Sequence, residues 1–263
     1  MNTKMQSTSS AVNHKITFNS GQEYSQMDLH FFSPDGPPVL PLWINGRALL
    51  TCGDGLVAIK SPNGKVLRKV PLCSVHEAAE ALSAARAAFP SWQAMNLSQR
   101  AIPLAAVAQT LCGSLYADHF ARLLVEEPET RGQNASKARA AVNMVRDDFE
   151  ALARQSERQG DQTSPNSATY IDLLPTNGLC PETRDGNTVV IRATEKRGFA
   201  ACAGIMARHL MAGNAVIVLP LPTNPSALLA LVELWGREGL PAGLASVLYG
   251  SDALETILLS HPV

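Results

Sequence analysis

The sequence has no apolar run approaching the roughly 18 residues that cross a bilayer. Even its most apolar stretch, Ala215 to Leu219, is halted by Pro220. It has no excess charge of either sign. The 22 basic and 23 acidic residues give a formal net charge of −1, which offers no electrostatic case for binding nucleic acid or an anionic membrane. The first thirty residues are polar and lack the apolar segment and small-residue cleavage site of a secretory signal. Cysteine is sparse: the five residues (Cys52, Cys73, Cys112, Cys180, Cys202) form no CxxC pair and no Cys/His cluster at metal-ligand spacing. These absences point to a soluble, cytoplasmic chain with mostly buried thiols and no metal. What is present, 263 residues of which 46% are hydrophobic and 17% charged, excludes disorder throughout and suffices for one large or two small domains.

Short-range signals divide the chain. The first forty residues are rich in Ser, Asn, Gln and Pro and end in Ser33-Pro-Asp-Gly-Pro-Pro38, which favours turns and extended backbone. Leu42-Trp-Ile-Asn-Gly46 reads as a strand meeting an Asn-Gly turn, and Ser61-Pro-Asn-Gly64 as a second turn before a strand over Lys65 to Pro71. From Ser74 the period becomes helical. Ser74 and Glu77 form a capping box, Ala78, Ala81, Leu82, Ala85, Ala88 and Phe89 share a stripe, and Pro90 is expected to stop the helix. Asn96 and Gln99 start another helix, with Pro103 tolerable only near its first turn. Further helices are expected over Tyr116 to Glu127 and Thr130 to Leu152. The polar run from Gln155 to Ser167 is the best boundary in the chain.

Beyond it, strands at Thr188 to Ile191, Ala215 to Leu219 and Ser246 to Tyr249 alternate with helices at Ala200 to Met211, Ser226 to Arg237 and Ala253 to Leu259. This alternation implies right-handed βαβ crossovers and a parallel sheet. Gly239 is placed to cap the helix ending near Arg237.

In order, Trp43-Ile-Asn-Gly46, Ser61-Pro-Asn-Gly-Lys65, Ala84-Ala-Arg-Ala-Ala-Phe-Pro-Ser-Trp92, Ser98-Gln-Arg100, Ala212-Gly-Asn-Ala-Val216, Gly239-Leu-Pro-Ala-Gly243 and Leu258-Leu-Ser-His-Pro-Val263 resemble the N-terminal half of the NAD-dependent aldehyde dehydrogenase superfamily. The resemblance implies an α/β fold: an incomplete Rossmann-like parallel sheet preceded by a helical segment with short N-terminal hairpins. It implies an extension over residues 1–40, a helical part over 41–154, a linker and oligomerisation arm over 155–186, and a partial nucleotide-binding domain over 187–263. The family's nucleophilic Cys and its catalytic Glu lie beyond the Phe-Thr-Gly-Ser turn, which this sequence does not reach. No catalytic residue is therefore assigned.

The family-equivalent cofactor positions are Thr194, Lys196, Leu219, Pro222 and Gly250. The Asn that would help hold the thiohemiacetal oxyanion falls on Lys196, whose flexible, hydrated ammonium does not reproduce a fixed amide donor. The Lys and Glu that hold the adenosine ribose fall on Leu219 and Pro222, which offer its hydroxyls no side-chain hydrogen bond. No cofactor is expected, and NAD or NADP if any.

Other candidates have plainer readings. Cys202 and His209 sit two turns apart on one helix, about 10 Å along its axis, so Cys202 is expected to be a packed core thiol. Glu195-Lys196-Arg197 reads as a solvated loop, and Glu126, Glu127 and Glu129 as an exposed helix end. The resemblance also places the strand near Thr188 centrally, flanked by a strand later in the family's sequence, so an open apolar edge is expected here. The leading expectation is a protein without dehydrogenase activity of its own. Its partner would be another copy, a full-length aldehyde dehydrogenase or a complementary chain, with no nucleic acid or membrane involved. The alternatives are the N-terminal half of a split NAD(P)-dependent oxidoreductase, a truncated product of one, and a nucleotide-sensing module.

Overall fold

A computed structural model describes residues 36–61, 63–127, 133–159, 182–184 and 188–260. Most of the expected extension, linker and arm, together with Glu129, Cys180 and His261 to Val263, lies outside the described residues. The chain opens with β1 (Leu42–Ile44) and β2 (Arg47–Leu49), then β3 (Leu56–Lys60) and β4 (Val66–Pro71). Four helices follow: α1 (Val75–Ala94), α2 (Leu97–Cys112), α3 (Ser114–Glu126) and α4 (Ala135–Gln159). The remainder is β5 (Glu182–Arg184), β6 (Thr188–Arg192), α5 (Phe199–Met211), β7 (Ala215–Leu219), α6 (Ser226–Arg237), β8 (Ala245–Val247) and α7 (Asp252–Ser260).

Both hairpins form as their turns predict. Asn45 and Gly46 have φ of 52° and 71°, the pair of positive values that matches the twist of a two-residue hairpin. The β1–β2 hairpin does not stand apart, because β1 pairs with β8 through Trp43 and Val247. The main sheet therefore runs β2-β1-β8-β7-β6-β5, with β3–β4 as a separate ribbon. Strands β6, β7 and β8 are parallel, as the βαβ alternation requires. Helices α5 and α6 cover one face, with α2, α3 and α4 packed beyond them, and α1 and α7 cover the other.

The expected open edge at β6 is corrected. Strand β5 pairs antiparallel along it, and Thr188, Val189, Val190 and Ile191 are all buried. The signal for this cover, missed beside the apolar β6, is Asp185-Gly186-Asn187, a Gly-containing connection of the kind that joins two antiparallel strands.

Local capping signals are met. Both boxes form: Ser74 with Glu77 on α1, and Asn96 with Gln99 on α2. Gly239, at φ 95°, ends α6, and Leu240 N–H donates back to the Trp235 carbonyl at 2.9 Å. The stop at Pro90 is not met, for α1 continues to Ala94. Proline removes only the bond to the Arg86 carbonyl, on an exposed turn where water can serve. Beyond it Trp92 is buried and donates Nε1–H to the Leu210 carbonyl at 2.8 Å. Likewise α4 runs on to Gln159, its last turns holding the buried Ser156, whose hydroxyl donates to the Ala153 carbonyl at 2.6 Å.

Arg100 joins these layers. Its side chain is 1% exposed, and it donates Nε–H to the Met95 carbonyl at 2.9 Å and Nη1–H to the Met211 carbonyl at 2.6 Å. Both acceptors lie at helix C-terminal ends, where unpaired carbonyls and the helix dipole favour a cation. Gly213, at φ 90°, leaves room for it, since a Cβ there would sit 2.9 Å from Nη1. Arg100→Ala strands these carbonyls in the core and should lower unfolding free energy by about 3 kcal/mol, read from urea denaturation against an exposed-site control.

His209 is 2% exposed on α5, and burial lowers its pKa from 6.5 to about 4. Between those values the unfolded chain binds the extra proton, so stability falls as pH drops from about 6.5 towards 4 and then levels. His209→Gln should flatten that part of the stability–pH curve, removing up to about 3 kcal/mol of pH dependence.

Candidate functional site

In an open parallel sheet, ligand crevices form outside the carboxyl ends of the strands. Here that end is bounded by the turn after β6, the loop from β7 to α6 and the residues between β8 and α7. All five family-equivalent positions fall there, but not as a set of converging polar groups.

The turn after β6 closes on itself: Thr194 and Arg197 exchange backbone hydrogen bonds, and Arg197 N–H also reaches Thr194 Oγ1 at 3.1 Å. Thr194, Glu195 and Lys196 are exposed, which agrees with a solvated loop. Arg197 is half-buried, with Nη1 3.5 Å from the Arg192 carbonyl and Nε buried without a partner. Leu219 is 1% exposed, enclosed with the rest of β7, whereas Pro222 is exposed. Gly250 is half-buried, and a side chain there would meet α7, a Cβ lying 2.4 Å from Leu254 Cδ2. The nearby cation Arg192 is held by α7 and the loop before it: it pairs with Glu255, approaches Asp252 at 3.4 Å and donates to the Ser251 carbonyl at 3.0 Å.

Cys202 is fully buried, as expected of a core thiol, with Sγ 3.4 Å from the Arg197 carbonyl. Burial, and then the charges of Glu77 and Asp54, push the Cys73 thiol up, so it stays protonated. Among the described residues no group of three His, Cys, Asp or Glu side chains is arranged to hold a metal ion. No described helix is long and apolar enough to cross a membrane.

The reading of Glu126 and Glu127 as an exposed helix end is corrected. Glu127 is 1% exposed and gathers a polar cluster at this end of the sheet. Its Oε1 accepts from Arg68 Nη1 at 2.6 Å and from Ser226 Oγ at 2.7 Å, and its Oε2 accepts from Ser226 N–H at 3.0 Å. Arg68 also reaches Glu126 at 2.7 Å. Helix α6 has no side-chain cap of its own, since Pro225 occupies that position. A carboxylate 99 residues away supplies it. Burial, and then Glu127's charge, push the Tyr249 phenol well up, so it stays neutral. Tyr249 Oη and Asn224 Nδ2 are buried without partners. Sequence reasoning missed Glu127 because no local pattern connects it to Arg68 or Ser226.

The frame is that of an α/β protein with a parallel β6-β7-β8 unit, and the comparisons give its class. The aldehyde dehydrogenase family model matches residues 53–263, and the chain belongs to that family. It is 27% identical over 213 residues to glutarate-semialdehyde dehydrogenase of Pseudomonas putida, covering 80% of this chain and 42% of that protein. It is 28% identical over 225 residues to the NADP(+) succinate-semialdehyde dehydrogenase of Escherichia coli, covering 84% of this chain and 44% of the relative. The chain thus spans less than half the length of these curated relatives. In fold it is similar to lactaldehyde dehydrogenase from Escherichia coli, at TM-score 0.68 and 21% identity over 85% of this chain and 45% of that one. It is also similar to an NAD-dependent benzaldehyde dehydrogenase from Corynebacterium glutamicum, at TM-score 0.69 and 18% identity over 88% and 49%.

The residues at this crevice do not fit a dinucleotide held as the family resemblance implies. Leu219 is packed in the core, Pro222 lacks a donor, and Arg192 is engaged by α7. No chemical step is derived through NAD or NADP.

Glu127→Ala should destabilise the chain by about 3 kcal/mol, because it uncaps α6 and leaves Arg68 without its buried partner. Arg68→Met should also destabilise it, and the double variant should lose less than the sum of the single losses. Denaturant melts of the three variants read this directly.

Proposed function

We propose that this chain is an aldehyde-dehydrogenase-family protein that performs no aldehyde oxidation itself and acts as a structural or regulatory subunit by associating with another polypeptide. The observation that carries the reading is Leu219. At the position where the family resemblance implies a ribose-binding Lys stands a leucine that is 1% exposed, serving the core rather than a ligand. Lys196 and Pro222 extend the same pattern to the oxyanion and second ribose positions. Losing the ribose partners removes about 1–3 kcal/mol for each unpaired group, enough to weaken NAD binding by orders of magnitude.

The second reading, the N-terminal half of a split NAD(P)-dependent oxidoreductase, draws on the parallel β6-β7-β8 unit, which keeps the crevice geometry of a nucleotide-binding sheet. Calorimetric titration with NAD and NADP separates the two. No binding tighter than about 1 mM, no aldehyde oxidation by the purified chain, and an oligomeric mass under native conditions are the expected results. Cofactor binding below that concentration would favour the split enzyme, and turnover by the chain alone would overturn both readings.

A further inference from the structure

We draw no further inference here: the strongest candidate, the buried side-chain cluster of Glu127, Asn224 and Tyr249 at the carboxyl end of the sheet, belongs to the site already described, where the Glu127 carboxylate is committed to Arg68 and Ser226.

Discussion

The amino-terminal end of the sheet depends on the C-terminus of α5. A helix that ends in the core leaves carbonyl oxygens without partners, and at least two of those on α5 are answered from another part of the chain. Trp92 serves Leu210 and Arg100 serves Met211, while Arg100 also takes the Met95 carbonyl at the end of α1. One buried guanidinium thus joins α1, α2 and α5 just before the chain enters β7. The charge is tolerated because its donors meet carbonyls at helix ends, where the dipole is negative. The constraint also explains Gly213, since a side chain there would meet the guanidinium.

At the carboxyl end, where related folds place ligands, a second buried charge does comparable structural work. Glu127 caps α6 and neutralises Arg68, so the hairpin, the helical layer and the sheet meet at one carboxylate. Arg192 is likewise committed to α7. Glu127 and Arg192 are directed at the protein's own helices, whereas Glu195 and Lys196 are exposed, and two of the positions that resemblance marks for the cofactor hold a buried leucine and an exposed proline. The fold is that of the aldehyde dehydrogenase family, and Glu127 and Arg192 at this end of the sheet tie its helices in place.

Much of the frame was legible in the sequence because its signals act over a few residues. Ser74 with Glu77 and Asn96 with Gln99 set helix starts, Asn45-Gly46 set a hairpin and Gly239 a helix end, each through a bond or dihedral within one turn. Pro90 misled because its expected effect ignores tertiary support: the exposed turn loses little, and Trp92 secures the next one. The candidate site was legible only in part. Residue identity was enough to question Leu219 and Pro222 as ribose ligands, but burial was needed to show that Leu219 belongs to the core.

The sequence by itself determined the element order apart from β5, the caps, the parallel βαβ unit and the family, because periodicity, turn chemistry and ordered motifs are local or additive along the chain. Only the tertiary structure decided that β1 joins β8, that β5 lies along β6, and that Glu127 is a buried cap rather than a solvated helix end. β5 and β6 pair across a short connection, but the other two join residues far apart in sequence: β1 meets β8, and the carboxylate meets partners 59 and 99 positions away. No local pattern encodes such pairings, which arise when burial leaves a polar group or strand border needing a partner and the folded chain brings one within reach.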